Sequence, residues 1–340
     1  MGGTPLTWAI ENGHEAVVEL LLGRADIDPN KPNEQDQTPL CLAARYGRAE
    51  VVKLLLERDD VNPDKPDWLG RTPLWRAANN EHAGVVEILL GQSDVNLNKF
   101  DMHGHTLLSW AACNGHRRVV EILLGRNDIN PTKPDAFGRT PLWCAACENH
   151  EGVVEILLGR NGTDPDKPDN YGRTPLWCAA SNGHEGVVGI LLGRGDINPD
   201  KPDIYGRTPL WCAACNGHEE VVRILLRRKD VNPDKLDMYG HTPLWWAACN
   251  GHEEVVRILL RRRDVNPDKP GKQCRTPLWC AACNGHAGVV EILLGRGGVD
   301  PRRLDDYGKT PLWYAASNHH TRVVALLQHP TAATYLRTYI

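Results

Sequence analysis

Two groups of apolar residues alternate with polar stretches along the whole chain. In residues 140–173 the first group contains Leu142, Ala145 and Ala146, and this spacing places the three side chains on one face of a helix. The second group, at residues 153–158, reads Val-Val-Glu-Ile-Leu-Leu and forms a wide apolar stripe on a second helix. The rest of the segment is rich in Asp, Asn, Pro and Gly, which is typical of a turn. The pattern therefore predicts two short helices followed by an extended loop.

The same unit returns every 34 residues. Thr-Pro-Leu opens nine of the ten units, and Thr-Leu-Leu at residues 106–108 opens the other. Threonine is favoured immediately before a helix, and proline is tolerated at the first helical position. Glycine or asparagine after the first helix can take the left-handed conformation that ends a helix. Repeats 1–10, numbered in chain order, begin at residues 4, 38, 72, 106, 140, 174, 208, 242, 276 and 310.

A constant period of this length predicts a solenoid, in which every repeat buries its apolar face against its neighbours. Helices this short are marginal in isolation, so stacking has to supply the stability. We expect one all-α solenoid domain over residues 1–340, with ten helix-turn-helix repeats joined by β-hairpin or extended loops. The sequence changes after the last apolar stripe, and we expect residues 331–340 to close the stack.

The repeat resembles the ankyrin repeat. Thr-Pro-Leu, Ala-Ala, Gly-His, Val-Val, Ile-Leu-Leu and Asp-Val-Asn follow one another in the order of that family's pattern. Two features depart from it: the repeat has 34 residues rather than the usual 33, and Trp follows Thr-Pro-Leu in seven repeats, where the family usually has His. The Asp-Val-Asn-Pro-Asp-Lys-Pro-Asp loops look most like long ankyrin arrays of fungal proteins. The resemblance implies a protein-interaction scaffold.

Composition and charge narrow the possible partners and location. Hydrophobic residues make up 41% of the chain and charged residues 24%, as in ordinary folded proteins. The net charge of -4 does not favour nucleic acid or an anionic membrane, and no apolar run reaches the length of a spanning helix. The chain has 11 cysteines, an odd number, most of which recur at two repeat positions. We therefore expect a reducing, cytoplasmic location.

Three recurring residue types offer candidate chemistry. Cys-Ala-Ala-Cys pairs, such as Cys144 with Cys147, favour helix packing, although metal or redox use is the alternative. The histidines before the second helices favour a structural role in the turn, with a metal ladder as the alternative. The tryptophans favour the core, with a stacking surface for bases or sugars as the alternative. Asp60, Asn62 and Asp64 mimic the start of a calcium loop, but Lys65 stands in the place of its glycine, so we expect bonds within the turn.

Exposed positions that differ between repeats are the natural source of binding specificity. In ankyrin proteins the loop tips and the end of the first helix commonly line a concave groove for a partner, so the resemblance implies that place here. The loop tips carry large apolar side chains, which favour interfaces, and a basic residue precedes most repeats. The predicted partner-binding residues are Trp68, Met102, Phe137, Arg139, Tyr171, Arg173, Ile204, Tyr205, Arg207, Met238 and Tyr239.

The predicted roles of the apolar tip residues and of the arginines each have an alternative. The apolar tips could pack on the next loop instead of binding a partner. The arginines could pair with the aspartates of their own loops instead of attracting an acidic segment of a partner, and surface pairs of this kind contribute little to stability.

The functional prediction is a non-catalytic scaffold that binds a protein partner along the groove and the loop tips. No grouping of residues supports catalysis, so we expect neither enzyme activity nor a cofactor or metal. The alternative is a structural protein whose similar repeats assemble end to end into filaments. A basic cluster at residues 227–229 and 261–263 is interleaved with acids, and the sequence does not favour nucleic acid there.

Overall fold

The computed structural model describes residues 3–329, so the tail at residues 331–340, which we expected to close the stack, lies outside the described residues. The chain divides into two compact units, unit 1 up to Asp164 and unit 2 from Pro165 onward. Each unit contains five pairs of helices. That residues 1–340 form a single domain stays a prediction.

Unit 1 contains helices α1 to α10. Odd numbers are the first helices of repeats 1–5, and even numbers are the second. Their bounds are Pro5–Glu11, Glu15–Leu22, Pro39–Arg45, Ala49–Leu56, Pro73–Asn79, Ala83–Leu90, Leu107–Cys113, Arg117–Leu124, Pro141–Cys147 and Glu151–Leu158.

Unit 2 contains helices α11 to α20, which belong to repeats 6–10 in the same alternation. A short 3-10 helix, Lys272–Cys274, lies in the loop before repeat 9. The bounds of α11 to α20 are Pro175–Ser181, Glu185–Leu192, Pro209–Asn216, Glu219–Arg227, Pro243–Cys249, Glu253–Arg261, Pro277–Cys283, Ala287–Leu294, Pro311–Ser317 and Thr321–Gln328.

The predicted caps start the first helices. In repeat 7 the side-chain oxygen of Thr208 accepts a hydrogen bond from the backbone N–H of Trp211 at 3.1 Å, and Pro209 is the first helical residue. The equivalent threonine bond is present in all ten repeats. Repeat 4 has no proline at this place, and there Thr106 and Ser109 form a reciprocal capping box.

Within each unit, first helices pack on the first helices of the next repeat, and second helices pack on second helices. In repeat 6 the small residues Ala179 and Ala180 are completely buried and allow this close approach, while Val188 and Leu191 bury the second helix. Each such leucine contributes roughly 1.5–3 kcal/mol of burial free energy. The predicted all-α solenoid is confirmed in this repeated packing. The described residues form no β-strand, only an isolated bridge between Phe100 and Thr106, so the loops are extended.

The repeated histidines connect each repeat to the one before it. Nε2 of His286 lies 2.9 Å from the backbone oxygen of Cys249, at the end of the preceding first helix. The same inter-repeat bond is made by His82, His150, His218, His252 and His320. A structural role was expected, but inside the turn of a single repeat. The histidine instead acts between two repeats.

In most repeats the residue that ends the first helix is a glycine, which makes room for the histidine of the next repeat. Gly251 has φ of +78°, and a Cβ atom added there would lie 2.6 Å from Nδ1 of His286. The glycine is therefore required both for the left-handed backbone and for the close approach of the next repeat. Repeat 3 has Glu81 at this place, and its carboxylate contacts Nδ1 of His116 instead.

The Pro-Asp-Lys-Pro loops make a second connection between repeats of unit 2. The carboxylate of Asp200 accepts a hydrogen bond from the backbone N–H of Asn232 at 2.8 Å, and Nζ of Lys235 donates to the backbone oxygen of Asp200 at 2.8 Å. Asp234 makes the same two bonds with Asn266 and Lys269. The polar loops thus fix neighbouring repeats through hydrogen bonds rather than through apolar packing.

Each turn is numbered after the repeat that follows it, so turn 9 precedes repeat 9. Turn 9 differs from the other turns. Gly271 replaces the usual aspartate, and both Gln273 and Cys274 have positive φ, 62° and 56°. The 3-10 helix, Lys272–Cys274, forms within this turn. A residue with a Cβ is strained in this region of backbone space.

We predict that Cys274→Gly stabilises the protein by about 1 kcal/mol, because glycine adopts positive φ without the steric cost. Gly240, in turn 8, has φ of +78° with no atom closer than 4.0 Å to an added Cβ. Gly240→Ala should therefore lower stability by a similar amount through the backbone alone. Urea denaturation of both variants checks this, and two shifts of the same sign would contradict it.

Candidate partner-binding surface

A buried aspartate fixes the shape of most turns. In turn 7 the side chain of Asp203 is 0% exposed, and its Oδ1 accepts hydrogen bonds from the backbone N–H groups of Tyr205 and Arg207, both at 2.9 Å. Its Oδ2 accepts a bond from Nε of Arg207 at 2.7 Å. Because the carboxylate holds the turn from inside, the side chains of Ile204 and Tyr205 are left on the outside.

The predicted tip residues are exposed in both units. Their exposed fractions run from 41% at Tyr205 to 59% at Met238. The side chains are therefore not covered by the next loop, which was the alternative interpretation. The exposed tips are Trp68, Met102 and Phe137 in unit 1, and Tyr171, Ile204, Tyr205, Met238 and Tyr239 in unit 2.

Backbone hydrogen bonds join successive turns of unit 2. The N–H of Ile204 donates to the oxygen of Tyr171 at 3.0 Å, and the N–H of Met238 donates to the oxygen of Tyr205 at 2.9 Å. These bonds place Tyr171, Ile204, Tyr205, Met238 and Tyr239 in one continuous row, called the tip row below. The row is an exposed apolar surface on a fixed backbone.

The predicted arginines are paired within their own turns. Arg139, Arg173 and Arg207 form ion pairs with Asp135, Asp169 and Asp203 at 2.6–2.7 Å. Each guanidinium also lies over the aromatic ring two residues before it, at 4.7, 5.1 and 4.8 Å in turns 5, 6 and 7. The arginines thus hold the tip rings in place, and attraction of an acidic partner stays a prediction.

Turn 8 departs from this arrangement and contains a pocket. The cavity, called the turn-8 pocket below, has a volume of about 240 Å³. It is lined by Tyr205, Arg207, Trp211, Asp237, Tyr239 and Trp246, so it opens beside the tip row. Oδ2 of Asp237 accepts hydrogen bonds from the indole N–H groups of Trp211 at 3.2 Å and Trp246 at 3.0 Å.

Asp237 is a charged group at the base of this pocket. Burial raises the pKa of Asp237, but its contacts with His241 and Trp246 and its backbone hydrogen bonds outweigh burial and lower the pKa to about 2. The folded protein therefore gains stability from this carboxylate at pH values above the ordinary aspartate pKa, and loses that gain as the pH falls towards 2. At neutral pH the group is an anion.

Comparison with known families agrees with the repeated helix pairs. The family model described as ankyrin repeats (3 copies) matches residues 1–67, 58–135, 108–203, 196–270 and 264–337. The chain belongs to the ankyrin-repeat family. No curated protein matches the sequence significantly. Ankyrin repeats are generally protein-interaction modules, and proteins of this family are typically non-enzymatic scaffolds.

The tryptophans that directly follow Thr-Pro-Leu are core residues in most repeats. Those of repeats 3 and 5–9 are buried, which confirms the packing interpretation over the stacking surface. Some indole N–H groups also reach the next turn: Trp177 donates to the backbone oxygen of Arg207 at 2.9 Å, and Trp245 to that of Arg275 at 3.1 Å. Trp313 of repeat 10 is the exception and is 46% exposed, since no further helix pair is described after α19 and α20.

The other candidate chemistry has local structural explanations. Cys212 and Cys280 are buried in the packed first helices, and burial raises the pKa of both thiol groups. Oδ1 of Asn62 accepts a bond from the N–H of Asp64, as expected of a bond within the turn, and Asp60 pairs with Arg58. Residues 3–329 contain no group of three or more His, Cys, Asp or Glu side chains that could hold a metal ion. Over the same range, no helix has the length and apolar character needed to cross a bilayer.

The sequence did not lead to the residues that complete the turn-8 pocket. Trp211 was predicted to be a core residue with the other tryptophans, and neither Trp246 nor Asp237 was predicted to be part of a site. The signal was visible, because Trp246 stands where repeats 5–7 and 9 have cysteine. The role of Trp246 depends on the hydrogen bond between its indole and Asp237, which lies nine residues earlier in the chain.

Proposed function

We propose that this ankyrin-repeat protein recognises a protein partner through its exposed loop tips, with the tip row of unit 2 as the main contact. The exposure of large apolar and aromatic side chains on fixed turns carries this proposal. Interface centres are enriched in aromatic residues and methionine, and isolated exposure of one such residue is ordinary whereas a contiguous set marks a binding surface. Trp68, Met102 and Phe137 offer the same kind of surface in unit 1.

Preorganisation supports the mechanism. The carboxylate of Asp203 holds turn 7, the N–H of Met238 bonds to turn 7, and Arg207 stacks on Tyr205. Little backbone freedom remains to be lost when a partner docks, so more of the contact free energy is available for affinity. We infer that Arg139, Arg173 and Arg207 serve mainly as supports for the tip rings. A guanidinium group can also form charge-assisted hydrogen bonds to acidic groups of the partner.

We predict that replacing Tyr171, Tyr205, Met238 and Tyr239 by alanine weakens partner binding at least about tenfold, since central aromatic contacts dominate interface energies. Far-UV circular dichroism should stay unchanged, because the four side chains are exposed. The measurement is recovery of the partner from a lysate of the source organism with immobilised protein.

Leu304→Ala is the matched control, since Leu304 is 55% exposed in the same unit and lies outside the tip row. The control should bind like the unchanged protein. Equal recovery of the partner by the fourfold variant and the control would refute the proposed surface.

End-to-end association is a second candidate function. The first helix pair exposes Trp8 at 58% and Leu20 at 75%, together with Val17, so this face of unit 1 is apolar and uncovered. A contact between this face and a different face of the next copy would produce a filament if the rotation between copies does not close into a ring. Static light scattering against concentration tests it, and a mass that stays constant at the monomer value would remove this candidate.

We further propose a non-catalytic role in a reducing, intracellular compartment, because the chain has an odd number of cysteines. The resemblance of the loops to fungal arrays supports a fungal source. Fractionation of cells that express the protein at natural levels checks the location, and recovery from the culture medium would contradict it.

A further inference from the structure

Turn 7 provides the reference for turn 8. The guanidinium of Arg207 makes four contacts there. It forms an ion pair with Asp203, and it lies over three rings, 4.8 Å from that of Tyr205, 5.3 Å from that of Trp177 in the preceding repeat and 5.5 Å from that of Trp211. Turns 5 and 6 have arginine at the same place, with the same aspartate pair and tip ring. In turns 5–7 the last residue of the turn is thus a cation that lies between a carboxylate and an aromatic ring.

Turn 8 has His241 where the other turns have arginine. The shorter side chain stacks on Trp245, with ring centroids 3.9 Å apart, and its Nδ1 lies 3.7 Å from Oδ2 of Asp237. It is 6.3 Å from the ring of Tyr239. Asp237 bonds instead to the indoles of Trp211 and Trp246. A neutral indole N–H satisfies the carboxylate oxygen but does not balance its charge.

The turn-8 pocket lies against groups that correspond to those around Arg207. Three of the four groups around the Arg207 guanidinium correspond, 34 residues later, to Asp237, Tyr239 and Trp211, and all three line the pocket. The fourth corresponds to Trp245, which stacks on His241. Trp246 takes the hydrogen bond to Oδ2 of Asp237 that the arginine makes in turn 7, so the cavity offers two aromatic rings beside the charge of Asp237.

The charges around the pocket favour a cation as the occupant. The positive charge of Arg207 is matched by Asp203, which leaves the anionic Asp237 without a guanidinium partner among the described residues. Carboxylates bind guanidinium groups through strong charge-assisted hydrogen bonds, and aromatic rings attract cations to their faces.

Turn 4 shows that histidine alone does not create such a site. His105 and Trp110 repeat the pair His241 and Trp246, and Nδ1 of His105 lies 3.3 Å from Asp101. Turn 4 has His103 where turn 8 has Tyr239, and turn 3 has Leu69 where turn 7 has Tyr205. The two tip rings that line the turn-8 pocket are therefore not repeated at turn 4.

We propose that the turn-8 pocket binds the guanidinium of an arginine side chain supplied by the partner. The guest lies against the rings of Tyr239 and Trp211, close to the negative charge of the Asp237 carboxylate. This inference rests on the proposed function for its biological setting, because Tyr205 and Tyr239 belong to both the pocket and the tip row. The binding of the guanidinium itself does not depend on the identity of the partner.

Titration of the purified protein with N-acetyl-arginine amide tests the proposal, followed through the indole N–H signal of Trp246 by NMR. We expect saturable shifts with a dissociation constant in the millimolar range, about what one buried side chain provides. N-acetyl-citrulline amide, which has the same shape without the charge, should bind at least about tenfold more weakly. Equal shifts with the two amides, or no shift with arginine amide, would overturn the proposal. So would tighter binding of N-acetyl-trimethyllysine amide, which would define a site for methylated ammonium groups.

His241→Arg is the sharpest variant, since it builds into turn 8 the residue that turns 5–7 already have. The protein's own guanidinium should fill the pocket and reduce arginine-amide binding at least about tenfold. If His241→Arg does not fold, Tyr239→Leu replaces an exposed ring and should also weaken binding. Unchanged affinity in the folded variant would contradict the proposal.

The reverse design copies the pair into turn 7. Arg207→His with Cys212→Trp should create a second site for arginine amide, with its own saturable shift. Loss of partner binding in the fourfold tip variant tests the proposed function separately. An arginine-amide site that persists while partner recovery is insensitive to the tips would leave the pocket established and the proposed function refuted.

Discussion

Replacing Gly251 by alanine should lower the free energy of unfolding by roughly 2–4 kcal/mol, a large fraction of the stability of an ordinary domain. Two costs add. Alanine at φ of +78° costs roughly 1–2 kcal/mol. The new Cβ would also lie 2.6 Å from Nδ1 of His286, so the ring has to move and its bond to the oxygen of Cys249 is lost, at about 1 kcal/mol or more.

Gly189→Ala provides the matched control. The same substitution in the same unit falls in the interior of α12, where an added Cβ meets nothing within 4 Å. Alanine there should stabilise the protein by roughly 0.5–1 kcal/mol because it favours helix. Urea denaturation gives both values, and hydrogen exchange shows whether the loss is concentrated in α15 to α18. Similar destabilisation by both substitutions would contradict the inter-repeat role of the histidine.

Replacing Asp203 by alanine should lower stability by roughly 2–4 kcal/mol. The side chain is completely buried and accepts two backbone N–H bonds and one guanidinium bond, so its removal leaves these donors unsatisfied. The side chain of Arg207 is 30% exposed, and water can partly replace its partner, which places the cost below that of a fully buried pair.

Asp203→Asn separates the contribution of the backbone hydrogen bonds from that of the ion pair with Arg207. The amide oxygen keeps both bonds to the backbone N–H groups, whereas the amide nitrogen cannot accept from Arg207. We expect about half the loss seen with alanine, measured by the same urea titration. Equal losses would mean that the ion pair, rather than the backbone bonds, supports the turn. Turn 9 is a natural comparison, because Gly271 replaces the aspartate and the backbone there takes a different shape.

Much of the fold could be predicted from the sequence because its signals are local and repeated. The threonine cap, the proline that follows it and the left-handed glycine each act within a few residues. The burial of the tryptophans that follow Thr-Pro-Leu could also be predicted from their fixed place on the first helix. Trp313 departs from this prediction, and the structure describes no further repeat after it. One such signal appearing ten times is hard to misread.

The partners of the turn aspartates could not be predicted in the same way. Where cysteine follows the threonine by four residues, as in repeat 7, Asp203 pairs with Arg207. In repeats 3, 8 and 10 the residue nine positions after the aspartate bonds to it, as Arg76 does to Asp67 and Tyr314 does to Asp305. Which side chain bonds to the aspartate depends on a contact between the turn and the following helix. The sequence shows the residue differences between repeats, but it does not show that they all concern the same aspartate. The turn-8 pocket arises from one of these differences.

The most direct test of the account is site-specific photo-crosslinking from two positions of unit 2. Benzoylphenylalanine at Ile204, a tip-row residue that is 58% exposed, should form a covalent adduct with the partner. The same probe at Arg227, whose side chain is 73% exposed at the end of α14, should form none. Adducts from position 227 with none from position 204 would contradict the claim that the loop tips are the binding surface.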